Sequence, residues 1–362
     1  MARLVRIACF VSLAALVALI PACGKGGGGK IKVAIVTNCT HDFWSICEAG
    51  AMKGGQDFDV EVIFRQPTNM AVSDQMDIVS AFQQQGVKGM AVSVIDPKEQ
   101  TPDLKRIAKD IPLLTMDNDA PDTGRLCYIG IDNYEGGKAA GRLVKQAMPN
   151  GGTIGLFIGS TTSANGQART QGVLDELAGE KDTKGMTATH PSKPALKGKT
   201  YGKFFLVDGE AKTDDGKSTE AQNNAQGVMS RLTDVPGDIG MIGLYAYNPP
   251  AILLAPARKE IGDRLKIIGF DEDWETLKGV NNGTIFGTIV QDPFNYGYKS
   301  VEILAANAKG DKSKVTNEAI PYRVITKEGG AEQTINGLKI LNLKATDLEA
   351  KLRADIASAK KK

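Results

Sequence analysis

The stretch KVAIVTNCTHDFWSICEAGAMK, residues 32–53, decides the fold. After Lys32 it opens on a continuous apolar run, Val33-Ala34-Ile35-Val36, which reads as a strand buried on both faces. A polar break follows, and residues 43–53 then read as a helix. Moving outward, the same strand–loop–helix unit recurs. Residues 60–64 form a second strand, and Val72, Met76, Val79 and Phe82 lie on one helical face that Gly86 stops. Residues 89–95 and 112–116 read as strands, with a helix at 104–109 between them. The rhythm restarts near Asp132. Strands are expected at 128–131, 153–158, 204–207, 239–245, 266–270 and 285–290. Helices are expected at 135–147, 169–177, 219–232, from Pro249, and at 298–306. Apolar strands separated by helices mean parallel sheets covered on both faces, so the chain reads as α/β, in two doubly wound, Rossmann-like lobes. Ligands on such sheets sit beyond the carboxyl ends of the strands. Two facing lobes therefore share a cleft.

The flanks read differently. Residues 1–22 carry Arg3 and Arg6 and then an uncharged, mostly apolar run at 7–20, shorter than the ~20 residues of a membrane span. This is a signal peptide in pattern, ending in Ile20-Pro21-Ala22-Cys23. The ending resembles a bacterial lipoprotein cleavage box, with Cys23 as the lipidated first residue; an ordinary secretory signal is the alternative. Residues 23–30, rich in glycine, read as a flexible tether. The expected location is outside the cytoplasm, in the periplasm or at the cell surface, held to the membrane by lipid alone. Of the remaining cysteines in the body, Cys39, Cys47 and Cys127, a Cys39–Cys47 disulfide or three free thiols are both open.

Composition narrows the classes further. Of 362 residues, 42% are hydrophobic and 24% charged, which excludes a disordered chain and a polytopic membrane protein. The net charge of +2 offers no basic excess for nucleic acid. Two histidines, His41 and His190, stand too far apart in sequence to suggest a zinc site, and no metal or cofactor is expected. Residues 180–203 lack a clear period and read as a surface insertion. Gly198-Lys199-Thr200 within it matches the tail of a phosphate-binding loop, but Lys193 stands where that motif needs glycine. Residues 346–362 read as a solvated terminal helix packed on one lobe.

Polar and aromatic side chains gather after the strands: Thr37 to Trp44, Asp117-Asn118, Asn165 to Arg169, Tyr245 to Asn248, Asp271 to Trp274, and Gln291. Carboxylates and amides can each engage neighbouring hydroxyls, and flat rings can cover the C–H face of a sugar. Each residue alone is more often a turn, a cap or core. Six strand ends with compatible groups suggest a site for a neutral polyol.

Residues 32–323 resemble the type I periplasmic sugar-binding proteins, especially the ribose/galactose group that feeds ATP-driven importers. The resemblance rests on KVAIVTNCTHDFW, IPLLTMDN, YIGIDNYEGGKAAG, ARTQGV, IIGFDED and GTIVQDP in order. It implies a monomeric solute-binding protein that takes a monosaccharide-like ligand to an ABC permease, without catalysis. It implies Phe43 and Trp44 as the aromatic clamp, His41 and Thr37 beside it, and Asp117 with Asn118 as first-lobe polar contacts. From the second lobe it implies Arg169 or, two residues off in register, Gln167, with Asn248 and the acceptor Asp271; Gln291 lies at the hinge. It also implies three crossings between lobes, near 131–132, 291–292 and 322–324, so that 31–132 with 292–322 form one lobe and 133–291 with 323–345 the other. Asn118 departs from the ribose pattern, which has arginine there, and the segment around Asp214 and Asp215 replaces a region that supplies an aromatic. The sugar is therefore open. An exported sensor that presents its ligand to a chemoreceptor or kinase is the alternative, and a hydrolase using Asp117 and Asp271 a remote one. On this reading Asp117→Ala or Asp271→Ala loses the sugar and leaves the unliganded melting temperature nearly unchanged.

Overall fold

A computed structural model describes residues 29–179 and 184–360; the expected leader, Cys23 and nearly all of the tether lie outside the described residues. In chain order the first half runs β1 (Lys32–Val36), α1 (Asp42–Asp57), β2 (Glu61–Arg65), α2 (Val72–Gln84), β3 (Met90–Val92), α3 (Pro97–Ile107), β4 (Leu113–Met116) and β5 (Tyr128–Gly130). There follow α4 (Asn133–Ala147), β6 (Gly152–Ile158), α5 (Ala164–Ala178), β7 (Met186–His190), β8 (Lys193–Tyr201), β9 (Phe204–Val207), β10 (Lys212–Thr213) and α6 (Ser218–Ser230). Next come β11 (Ile239–Gly243), α7 (Asn248–Leu254), α8 (Arg258–Ile261), β12 (Leu265–Phe270), α9 (Trp274–Asn282), β13 (Gly287–Val290) and α10 (Pro293–Ala308). The chain closes with β14 (Glu318–Ala319), β15 (Arg323–Thr326), β16 (Gln333–Ile335), β17 (Leu338–Lys344) and α11 (Ala345–Lys360).

Among the described residues two sheets form. The first has the order β14-β5-β4-β3-β1-β2, all neighbours parallel. The second is built on the parallel run β13-β12-β11-β6-β9. Strands such as Val33–Val36 and Leu113–Met116 are buried throughout, as sheets covered on both faces require. The chain passes between the sheets after β5, after β13 and after β14. Tyr296 ties two of these crossings together, accepting from Ile131 N (3.2 Å) and donating to Gln291 Oε1 (2.7 Å). Arg323 ties the third, donating to Glu272 Oε1 (3.3 Å) and to the Gln291 carbonyl.

Two stretches differ from the sequence reading. Most of 180–203 is a β-hairpin, not an irregular insertion: β7 and β8 pair antiparallel, and β8 pairs antiparallel with β9, extending the second sheet. Leu196 and Gly198 are buried on one face of the strand and Tyr201 on the other, among lysines and threonines, so no regular alternation marked it. Gly198-Lys199-Thr200 is therefore mid-strand, with no loop to wrap a phosphate. His190 is absorbed here, bonded to Thr153 Oγ1 at 2.9 Å and set edge-on to Phe205. The terminal helix also departs from expectation. α11 packs on α1 of the first lobe as well as on α9 of the second, with Leu348 and Leu352 in one apolar cluster with Ile46 and Leu277. No disulfide joins Cys39 to Cys47, both of which are free thiols, and Cys127 is buried.

Close helix crossings set the positions of the site-bearing helices. In the second lobe α4 and α5 approach through Gly137 and Gly172. A Cβ on Gly137 would overlap the Arg169 carbonyl, and one on Gly172 the Tyr134 carbonyl. In the first lobe Gly50 and Gly297 do the same for α1 and α10. We expect Gly137→Ala to destabilise the protein by about 1–3 kcal/mol, because backbone must shift to admit the methyl. Gly227→Ala on α6 meets open space and is expected to stabilise by roughly 0.4–1 kcal/mol through helix propensity and unfolded-state entropy. Urea unfolding of the two variants checks both signs.

Candidate functional site

The site begins with two aspartates, one per lobe, each directly after a parallel strand. Asp117 follows β4 and Asp271 follows β12, and both adopt positive φ, 60° and 72°. Aspartate tolerates this region better than most residues, and such conformations concentrate at binding sites. Each strand end points its carboxylate into the space between the lobes, leaving Asp117 4% and Asp271 5% exposed.

Arg169 stands between them. It lies on α5, is 1% exposed, and is the largest fully buried side chain. Its Nη2 lies 3.9 Å from Asp117 Oδ1 and its Nη1 3.7 Å from Asp271 Oδ2. Both separations are ion-pair distances, too long for hydrogen bonds. The guanidinium is anchored by Nε to Asn133 Oδ1 (2.9 Å) and Nη1 to the Leu244 carbonyl (2.9 Å). It lies over the Phe270 ring at 4.0 Å. Nη2 is buried with no hydrogen-bond partner.

Burial raises the pKa of Asp117, against the opposing pull of Arg169 and the hydrogen bond from Ser93 Oγ (3.0 Å). Burial likewise pushes Asp271 up to about 6, with Arg169 and Gln291 opposing. Gln291 Nε2 donates to Asp271 Oδ1 at 2.6 Å. The same Gln291 accepts from Tyr296, so this carboxylate is wired to the crossing strands.

Aromatic walls complete the cleft. Phe43 and Trp44 open α1 and meet edge to face at 4.8 Å, with Trp44 Nε1 donating to Asn38 Oδ1 (3.0 Å). His41 caps α1, its Nδ1 accepting from Phe43 N (3.2 Å), and burial lowers its pKa. Tyr245 and Tyr247 form the facing wall; Tyr245 bonds Ser163 Oγ at 2.6 Å and Asn165 Oδ1 at 2.9 Å. Asn165 N reaches across the cleft to Asn118 Oδ1 (3.0 Å). The cleft these groups line encloses ≈ 420 Å³, part of it open to solvent.

The structure brings His41, Phe43, Trp44, Asp117, Arg169, Asp271 and Gln291 to this lining. Four other candidates stand behind or beside it. Thr37 is fully buried and donates to the Cys39 carbonyl (2.9 Å). Asn118 gives its amide to the Val94 carbonyl and its oxygen to Asn165. Gln167 is exposed and bonds the Thr161 carbonyl (2.8 Å), whereas Arg169, one helical step on, faces inward. Asn248 is turned away to Asp214 Oδ2 (2.9 Å). The sequence places Asn38, Cys39, Asn165, Tyr245 and Tyr247 in the segments after strands without marking them out individually, and the structure sets them in the lining. Met70, on the loop before α2, carried no signal.

Comparison with known proteins fits this geometry. Residues 33–312 match the family described as periplasmic binding protein domain. The ribose import binding protein of Salmonella typhimurium is 22% identical over 314 residues, 85% of this chain and 94% of that protein. A solute-binding protein of an ABC transporter from Burkholderia graminis, solved with D-arabinose, shares the fold at a TM-score of 0.71 and 24% identity, covering 82% of this chain and 96% of that one. Another from Agrobacterium vitis, solved with D-fucose, gives 0.70 at 19% identity, covering 82% and 96%. With its two parallel sheets, three crossings and facing strand ends, the chain belongs to the periplasmic binding protein family.

Proposed function

We propose that the protein captures a neutral monosaccharide-like ligand between its lobes by hinge closure and hands it to an ABC permease, without chemical change. The observation that carries this reading is Arg169 Nη2: a buried guanidinium nitrogen, unpartnered, beside two carboxylates that sit just beyond hydrogen-bond range. A sugar hydroxyl fits such a gap. It can accept from the guanidinium and donate to a carboxylate, both charge-assisted bonds of about 1.5–3 kcal/mol. A few of these with aromatic coverage are enough for micromolar binding, about −8 kcal/mol. The relatives named above as ribose import and ABC-transporter binding proteins support the sugar and the permease as partners.

Closure follows from the same contacts. The Asn165–Asn118 hydrogen bond, the Arg169–Asp117 pair and the His41–Tyr247 ring contact all join groups of opposite lobes. Opening breaks them while the three crossings act as the hinge. Asp117, Arg169, Asp271 and Gln291 are buried in this closed arrangement, so the ligand enters the open form and is enclosed afterwards. The leader-like residues 1–22 and Cys23 support an exported protein tethered to a membrane by lipid.

Three outcomes test this. Calorimetry against pentoses, hexoses and deoxy sugars should find a ligand that Asp271→Ala no longer binds; failure of every sugar would overturn the reading.

The second outcome is a pH profile. Because the folded pKa of Asp271 is raised from 3.8 to about 6, its contribution to unliganded stability is present below about pH 4 and fades as pH rises through 6. Binding has the opposite sign, since the hydroxyl needs the carboxylate. The sugar-induced rise in melting temperature should therefore grow between pH 5 and pH 7 and then level off.

The third concerns the anchor. The wild-type chain expressed in a bacterium should partition into detergent with the membrane fraction, and Cys23→Ser should leave it soluble.

A further inference from the structure

Tyr247 separates two cavities. On one side is the cleft lined by Asp117, Arg169 and Asp271. On the other is an adjoining cavity of ≈ 200 Å³ lined by Ser218, Thr219, Gln222, Leu254 and Asp273, with Tyr247 in its wall too. Pro250, Ala251 and Leu254 make much of its wall apolar, and Ser218, Thr219, Gln222 and Asp273 add a few hydroxyl partners.

The tyrosine is held in place by a group that touches neither space. Tyr247 OH donates to Asp214 Oδ1 at 2.7 Å. Asp214 is buried, and its two oxygens are also taken by Asn248 Nδ2 (2.9 Å to Oδ2) and Gly216 N (3.0 Å to Oδ1). Across the cleft the Tyr247 ring meets His41 at 6.2 Å, and beside it Tyr245 at 6.1 Å. Fixed at its hydroxyl and flanked by two rings, it gives the cleft a wall of aromatic carbon. Asp214 and Asn248 satisfy one another and offer that wall no free donor or acceptor. A C–H face suits such a wall; an exocyclic hydroxymethyl does not.

We infer that Tyr247, positioned by Asp214, sets the size limit of the ligand, confining the cleft to compact rings such as pentopyranoses and excluding a hydroxymethyl substituent from the adjoining cavity. This rests on the sugar-binding reading and adds to it a specificity-determining residue and a ligand class. On this reading, removal of the ring opens the cleft toward that cavity.

The test measures affinities for pairs of sugars that differ only by the hydroxymethyl group: L-arabinose and D-galactose, D-xylose and D-glucose, D-ribose and D-allose. For the pair bound most tightly, the wild type should favour the pentose at least tenfold. Tyr247→Ala should reduce that ratio to within threefold by gaining the hexose. Tyr247→Phe, which keeps the ring, should retain most of the ratio, and Asp214→Ala should lower it while leaving Arg169 and Asp271 in place. The ratio is read on variants whose urea unfolding matches the wild type. Should Tyr247→Ala not fold, Tyr247→Leu reads the same ratio. Equal wild-type affinity for pentose and hexose, or an unchanged ratio on truncation, overturns the size limit and leaves the sugar-binding reading intact. Absence of binding by every sugar overturns both.

Discussion

A guanidinium removed from water must find its compensation inside the protein, and Arg169 finds it from both lobes at once. Asp271 and Asn133 belong to the lobe that carries α5, whereas Asp117 belongs to the other. Burial works against the charge on Arg169, and the two carboxylates outweigh it, holding its pKa up. In return the arginine offsets the burial of Asp117 and Asp271, whose pKa values are raised all the same. An ion pair that spans a cleft cannot be complete when the cleft opens. Its energetics are therefore tied to the relative position of the lobes.

That arrangement needs rigid supports on each side. Helices α4 and α5 cross where Gly137 and Gly172 let backbone meet backbone, which fixes the stem of Arg169. Helices α1 and α10 cross in the same manner at Gly50 and Gly297, which places Phe43 and Trp44. The crossings are wired to the site through Gln291, bonded to Asp271 on one side and Tyr296 on the other. Helix α11 adds a contact outside the matched family region, packing on α1 and α9 together. A binding site between two bodies thus rests on contacts within each body; a few polar and ring contacts and Met70 cross the cleft, and α11 bridges the bodies elsewhere.

Much of this was legible before any coordinates. Apolar runs such as Val33–Val36 and Ile267–Phe270 could only be strands buried on both faces, and the helices between them enforced parallel order. Parallel order brings the carboxyl ends together, which made Asp117 and Asp271 natural candidates. The hairpin at β7 and β8 was not legible, because Leu196 and Gly198 on one face and Tyr201 on the other give no regular alternation among lysines and threonines. Nor was the reach of α11, since its apolar face could have met either lobe.

Sequence by itself determined the local periods, the order of strands and helices, and which residues follow each strand. Those depend on backbone geometry and on burial within a few turns of chain. Tertiary structure alone decided which of those residues face the cleft. Asn248 sits after a strand as its neighbours do, yet it turns to Asp214, a partner distant in sequence. Asn118 adjoins Asp117 and is spent on Asn165 of the other lobe. The reason is that a buried amide takes whichever partner the packing brings within about 3 Å, and that partner is set by how separate segments meet.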